Sequence, residues 1–179
     1  LARPEADRRA SVGLSTDFLA GRTGAVGSGP MTRLQIVGGG RMGEALIGGI
    51  LSSGWAEATD LRIVEASSAR REQLASLFPG AEITTEPGAA DGTIVATKPA
   101  DIAAVTAAVS ASGGGRILSI AAGVTLATLE AAAGSGVAVV RAMPNTPALI
   151  GAGASAIAGG AAAEDADLDW AESLLGAVG

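Results

Sequence analysis

The run Leu34-Gln35-Ile36-Val37, then Gly38-Gly39-Gly40-Arg41-Met42-Gly43, then the apolar-periodic Glu44-Ala45-Leu46, constrains this chain more than anything else in it. It reads as a strand, a tight turn and a helix start, with glycines spaced Gly-x-Gly-x-x-Gly. In a dinucleotide-binding unit the first glycine permits the turn, the second lets the backbone approach a diphosphate, and the third lets helix and strand pack closely. The diphosphate would lie on the exposed N–H groups of the helix N-terminus, where the macrodipole favours negative charge. With 27 glycines in 179 residues the spacing alone arises readily by chance. Context gives it weight: a strand precedes, a helix follows, and an acidic residue, Glu65, closes the next apolar run Leu61-Arg62-Ile63-Val64 about 20 positions on.

From Met31 onward short β-rich runs alternate with helical patterns, which predicts a parallel sheet built from right-handed βαβ crossovers. Strands are expected at 34–37, 61–64, 82–85, 93–96, 116–120 and 137–141, with a further one at 154–158. Near-continuous apolar runs such as Ile94-Val95-Ala96 suit strands covered on both faces. Helices are expected at 42–53, 68–77, 99–110, 125–133 and 164–175. Pro99 suits a first helical turn, where its missing N–H costs nothing, and Asp101, Asp165 and Asp167 place favourable charge at helix starts. The fold class is therefore α/β: a Rossmann-like, doubly wound, mostly parallel sheet with helices on both faces over residues 31–179. Residues 1–30, rich in Gly, Ser and Arg, read as a disordered N-terminal extension, with Met31 as the natural start. They lack the 7–15-residue apolar core of a secretory signal and carry Glu5, Asp7 and Asp17, which argues against a transit peptide.

Composition removes several classes of chemistry. A net charge of −6, with basic pairs only at Arg8-Arg9 and Arg70-Arg71, argues against nucleic-acid binding. An anionic cofactor must then be held by backbone N–H groups and a few arginines. No apolar run approaches the roughly 20 residues that span a bilayer, so no membrane association is expected, and the cytoplasm is the expected location. The chain has no Cys, His or Tyr. That excludes disulfides, thiol nucleophiles, a Ser-His-Asp triad and the usual zinc ligands, and no metal is expected. Proton chemistry falls to carboxylates, hydroxyls, water or Lys98, the only lysine.

In an open α/β sheet, ligands bind outside the carboxyl ends of the strands. The loops expected there are Gly38–Gly43, Glu65–Ser68, Ala96-Thr97-Lys98-Pro99, Ser119-Ile120-Ala121-Ala122-Gly123 and Met143-Pro144-Asn145-Thr146-Pro147. Small residues let a flat cofactor lie across the strand ends, and prolines fix loop shapes. Glu65 is the ribose candidate, since a carboxylate there accepts from the 2′- and 3′-hydroxyls and repels a 2′-phosphate. Ser67, Ser68, Arg70 and Arg71 point the other way, because hydroxyls and guanidinium groups suit a 2′-phosphate. Arg70 and Arg71 also read as the solvated face of a helix, Arg71 above all. Sequence leaves NADPH and NADH both open. Lys98 is expected near the cleft, steering a substrate carboxylate or the nicotinamide end. Arg41, a cation at a helix N-terminus, makes sense beside a bound phosphate. Asn145 is the best remaining side chain to bond a carboxamide or water. Trp55 and Trp170 read as packing residues.

Residues 31–179 resemble the N-terminal nucleotide-binding domain of the pyrroline-5-carboxylate reductase family. The resemblance runs in order through Ile36-Val37-Gly38-Gly39-Gly40-Arg41-Met42-Gly43, Ala96-Thr97-Lys98-Pro99-Ala100-Asp101-Ile102, Ser119-Ile120-Ala121-Ala122-Gly123-Val124-Thr125, and Arg141-Ala142-Met143-Pro144-Asn145-Thr146-Pro147-Ala148 with Gly151-Ala152-Gly153-Ala154. The last segment is far more specific than the glycine motif. The resemblance implies hydride transfer from NAD(P)H to the C=N carbon of pyrroline-5-carboxylate, the last step of proline biosynthesis. By the family pattern the Gly38–Met42 loop, Ser67, Ala96–Pro99 and Ile120–Ala122 touch the cofactor, with NADPH the common reductant. The chain departs from that pattern at Arg41 and near Glu86, and Glu65 is at odds with an NADPH preference. The family's C-terminal helical domain carries substrate contacts and the dimer interface, and this chain is expected to be a fragment that carries the cofactor half alone. The full-length protein is expected to be a homo-oligomer, and this chain to bind nucleotide while reducing pyrroline-5-carboxylate poorly. Another reductase of the same architecture, acting on a coenzyme or a β-hydroxy acid, and a catalytically silent nucleotide-binding module are the alternatives.

Overall fold

A computed structural model describes residues 32–145, 147–148 and 152–179. The expected extension at 1–30, Met31, Thr146 and Gly151 lie outside the described residues. The strands are β1 (Leu34–Val37), β2 (Leu61–Val64), β3 (Glu82–Thr84), β4 (Gly92–Val95), β5 (Arg116–Ser119), β6 (Val139–Pro144) and β7 (Ser155–Gly159). The helices are α1 (Arg41–Ser52), α2 (Ser68–Leu77), α3 (Ile102–Ala111), α4 (Leu126–Ala133) and α5 (Asp165–Leu175). The strands form one sheet in the order β3-β2-β1-β4-β5-β6-β7. All neighbours are parallel except β6 and β7, which pair antiparallel with Met143 opposite Ala156. The doubly wound, mostly parallel architecture expected from the sequence is thus present.

Strand alternation divides the core between the two faces of the sheet. Leu34, Ile36, Leu61, Ile63, Ile94, Leu118 and Val140 pack with Leu46, Ile47 and Ile50 of α1, Leu74 of α2, and Trp170, Ala171 and Leu174 of α5. Val37, Val95, Ile117 and Val139 pack with Ile102 and Val109 of α3 and Leu129 and Ala133 of α4. The helix starts follow their side chains. Ser67 and Thr125 cap α2 and α4 by accepting from the Arg70 and Thr128 amides, and Glu164 forms a capping box with Asp167 at α5.

Three sequence expectations are corrected. Helix α3 begins at Ile102, not Pro99: the Asp101 amide bonds the Lys98 carbonyl, so residues 98–101 turn before the helix starts. Strand β6 runs on through Met143-Pro144, the first half of the expected fifth loop, because β7 returns beside it and supplies partners. Arg71 is not simply a solvated helix face: its Nη1 donates to the Glu65 and Ala66 carbonyls at 2.9 and 2.7 Å, closing the end of β2.

A buried polar chain also stands among the apolar strands. Gln35 Nε2 donates to Thr93 Oγ1 at 3.2 Å, Thr93 Oγ1 donates to the Gly114 carbonyl at 2.7 Å, and Gln35 Oε1 accepts from the Gly88 amide at 2.8 Å. Gln35 and Thr93 are both fully buried, so each bond replaces one otherwise made to water. Replacing Gln35 by leucine strands the Gly88 amide, and the expected cost is about 1–3 kcal/mol. It should appear as a lower urea midpoint with an unchanged slope.

Candidate functional site

The strand order reverses between β1 and β4, because the connections leave β1 toward β2 on one side and return to β4 on the other. The crevice at such a reversal is where this architecture binds ligands. A cleft of about 610 Å³ opens there, lined by Val37, Gly38 and Gly40 at the end of β1 and beyond it, Val64, Glu65 and Ala66 at the end of β2 and beyond it, Ala96, Thr97 and Lys98 after β4, and one face of α3. Ladder bonds persist past the strand ends and hold these loops in place: the Gly38 amide bonds the Val64 carbonyl at 2.9 Å, and the Ala96 amide bonds the Val37 carbonyl at 2.8 Å.

Each glycine of the loop has a separate physical reason. Gly38 has φ +104°, where an L side chain is strained, and a Cβ on it would sit 2.6 Å from the Ala96 carbonyl oxygen. A Cβ on Gly43 would overlap the Gly38 carbonyl oxygen, so only glycine lets α1 start this close to β1. Gly40 is different: a Cβ there would meet nothing within 4 Å. Its missing side chain serves no atom of the protein and leaves space on the cleft side. Gly40 is also the N-cap of α1, with no side chain bonding the first N–H groups of the helix, which therefore remain available to an anion.

A network behind the loop fixes its shape. Glu65 Oε2 accepts from the Gly39 amide and Oε1 from the Ser67 amide, both at 2.9 Å. Arg70 Nε donates to the Gly39 carbonyl at 2.7 Å, its Nη1 donates to Gln73 at 3.0 Å, and its Nη2 is paired with Glu44 on α1. Ser67 Oγ accepts from the Arg70 amide at 3.4 Å. Both peptide groups of Gly39 are thereby held from α2 and the end of β2. A Cβ on Gly39 would press on Leu74 Cδ1, the tip of a side chain on α2.

The cleft brings together Gly38, Gly40, Glu65, Ala96, Thr97 and Lys98 of the sequence-predicted residues. Gly39 and Gly43 support the loop from behind and are buried, while Arg41 is exposed at the α1 start and Met42 packs against the core. Pro99 is exposed in the turn before α3, and Ser67 and Arg70 lie behind the loop, outside the cleft lining. Ile120, Ala121 and Ala122 sit at the same carboxyl edge after β5, outside this cleft; Ala121 is buried in the α3–α4 core and Ala122 is exposed. Asn145 closes the β6–β7 connection, with Oδ1 accepting from the Ala154 amide at 2.9 Å and its own amide donating to the Ala154 carbonyl.

Two features leave the cleft open to a polar, anionic ligand. Gly40 leaves room at an uncapped helix N-terminus, and Thr97 Oγ1 is buried with no hydrogen-bond partner among the described residues. An orphaned hydroxyl in a cleft wall asks for a polar ligand or water. Sequence reasoning missed the wall that α3 supplies through Ala104, Val105 and Ala108. The signal was available: α3 is apolar around most of its circumference, more than one buried face needs.

Residues 33–123 match the family model described as NADP oxidoreductase, coenzyme F420-dependent. A pyrroline-5-carboxylate reductase of Mycobacterium tuberculosis is 35% identical over 159 residues, covering 83% of this chain and 54% of that protein. The corresponding protein of Corynebacterium melassecola is 32% identical over 157 residues, covering 83% and 58%. A solved pyrroline-5-carboxylate reductase from Coxiella burnetii superposes with a TM-score of 0.76 at 26% identity, over 83% of this chain and 57% of that one. The chain thus spans about half the length of the curated relatives it matches. Within the described residues no helix is long and apolar enough to cross a membrane. The chain belongs to the family described as NADP oxidoreductase, coenzyme F420-dependent, and over most of its length it is similar to the pyrroline-5-carboxylate reductases.

Proposed function

We propose that residues 31–179 are the cofactor-binding part of a cytoplasmic, homo-oligomeric pyrroline-5-carboxylate reductase, which reduces L-1-pyrroline-5-carboxylate to L-proline with NAD(P)H. The observation that carries this is the open, uncapped glycine turn at the β1–β4 reversal, in a chain 35% identical to a curated reductase. When bound, the reduced nicotinamide supplies a hydride to the C=N carbon of the substrate. The chain's own residues bind and orient. The first N–H groups of α1 take the diphosphate, with Arg41 beside them, and Glu65 accepts from ribose hydroxyls. The Thr97 hydroxyl supplies a polar contact on the cleft wall. Lys98, the only cation among the described lining residues, steers a carboxylate-bearing substrate. The Ile120–Ala122 edge and Asn145 shape the far end of the site, where the β6–β7 connection lies. Alignment of donor and acceptor is the main contribution expected of such a site, since neither a covalent nucleophile nor a metal is needed to move a hydride.

The purified chain should quench or shift the fluorescence of reduced nicotinamide nucleotide on binding. Fusing the remaining half of the Mycobacterium tuberculosis relative after Gly179 should produce nucleotide oxidation that depends on pyrroline-5-carboxylate. A fusion that binds nucleotide but ignores that imine would refute the substrate assignment. Because the family description names coenzyme F420, a coenzyme reductase is the second reading. Oxidation that depends on an oxidised deazaflavin instead of the imine would establish it.

A further inference from the structure

We propose that this site selects NADH over NADPH, and that Glu65 is the residue that makes the choice; this rests on the cleft being a nicotinamide dinucleotide site. In this architecture the ribose nearest the adenine lies at the end of the second strand, and Glu65 stands there, lining the cleft. Its two oxygens each accept one backbone amide, from Gly39 and Ser67, at 2.9 Å. Those bonds fix the carboxylate in place. They leave further lone pairs on both oxygens, enough for the 2′- and 3′-hydroxyl donors of a ribose. A 2′-phosphate offers no donor in return and brings negative charge against a carboxylate that cannot swing away.

Of the two nearby cations, Arg70 is committed elsewhere. Arg70 spends Nε on the Gly39 carbonyl, Nη1 on Gln73 and Nη2 on Glu44. Reaching a phosphate would mean releasing the glycine loop it holds. Arg71 Nη1 closes the Glu65 and Ala66 carbonyls, and neither arginine lines the cleft. Ser67 Oγ accepts the Arg70 amide as the α2 cap, which leaves its single O–H as the one neutral donor on this loop. A second carboxylate, Glu86, stands on the same wall. The family description names NADP, so an NADH preference would set this chain apart from that description.

The test is a fluorescence titration of the full 179-residue chain with NADH and with NADPH at matched ionic strength. NADH should bind at least about tenfold tighter, a difference of about 1.4 kcal/mol. Glu65→Gln keeps an oxygen for the Gly39 amide and removes the charge, and should narrow the ratio by about tenfold, mainly through tighter NADPH binding. Circular dichroism checks that the variant folds, and the wild-type ratio decides the matter by itself if it does not. Equal or tighter NADPH binding by the wild type, or a ratio that Glu65→Gln leaves unchanged, would overturn the specificity proposal and leave the dinucleotide site standing. Binding of neither nucleotide would overturn both.

Discussion

Gly43→Ala is expected to damage the fold itself, while Gly40→Ala, three residues earlier in the same loop, is expected to damage only binding. A Cβ on residue 43 overlaps the Gly38 carbonyl oxygen. That oxygen belongs to backbone held on either side by the ladder bonds of Gly38 to Val64 and Ala96 to Val37. Nothing flexible can move aside, so α1 must shift away from β1. Overpacking of this kind costs about 1–3 kcal/mol and sometimes more, a fall in Tm of roughly 2–4 °C per kcal/mol at this chain length. A Cβ on residue 40 meets nothing within 4 Å, and Gly40 has φ −66°, which alanine adopts freely. The only structural penalty is the poorer N-cap preference of alanine, about 0.5–1 kcal/mol. The added methyl nonetheless occupies the space through which a diphosphate would approach the α1 amides, and nucleotide affinity should fall at least about tenfold. Thermal melts beside nucleotide titrations check the pair. If Gly40→Ala binds as the wild type does, the glycine loop is only a turn.

The second large effect lies far from the cleft. Trp170 of α5 is 9% exposed, with Arg116 stacked on its ring at 4.9 Å. Its edge lies where a Cβ on Gly92 would stand, 2.5 Å from Cζ2. Glycine at the start of β4 is therefore the hole that accepts the indole, and α5 is keyed onto the sheet by that fit. Trp170→Ala should cost about 3–5 kcal/mol. Gly92→Ala alone should cost about 1–3 kcal/mol, but much less once residue 170 is alanine. A double-mutant cycle by urea denaturation should give a coupling of at least about 1 kcal/mol. Simple additivity would show that the indole and the glycine do not fit one another as described. Trp55, the other tryptophan, donates from Nε1 to Ser173 Oγ at 3.0 Å under Arg33, so it also ties α5 to the body of the domain.

Which parts were legible in the sequence follows from how far each determinant reaches. The strand–turn–helix at 34–46, the acidic end of β2 and the alternation of strands with helices are written in residues a few positions apart, and all are found in the structure. The Gly38 and Gly43 requirements are equally local. What surrounds Gly39 was not legible, because the atom a side chain there would press on belongs to Leu74, on a different helix. The direction of β7 was not legible either. Ser155-Ala156-Ile157-Ala158-Gly159 is a short run of mostly small residues whose period carries no sign, and only the position of β6 makes it antiparallel. Pro99 signalled a helix start, but the Lys98–Asp101 turn delays it to Ile102.

The same division holds for the chemistry of the site. By itself the sequence determined that this chain would carry a glycine-turn dinucleotide fold, without thiol or imidazole chemistry and with its candidate contacts at one edge of a parallel sheet. Those properties depend on residue identity, spacing and the period of strand and helix. Only the tertiary structure decided what Arg70 and Glu65 are free to do. A guanidinium three positions beyond a serine cap could as well face a phosphate as a carbonyl, and packing against Gly39 and Glu44 chose the carbonyl. Long, flexible charged side chains take their partners from whatever the fold brings within hydrogen-bond reach, and sequence spacing does not record that distance.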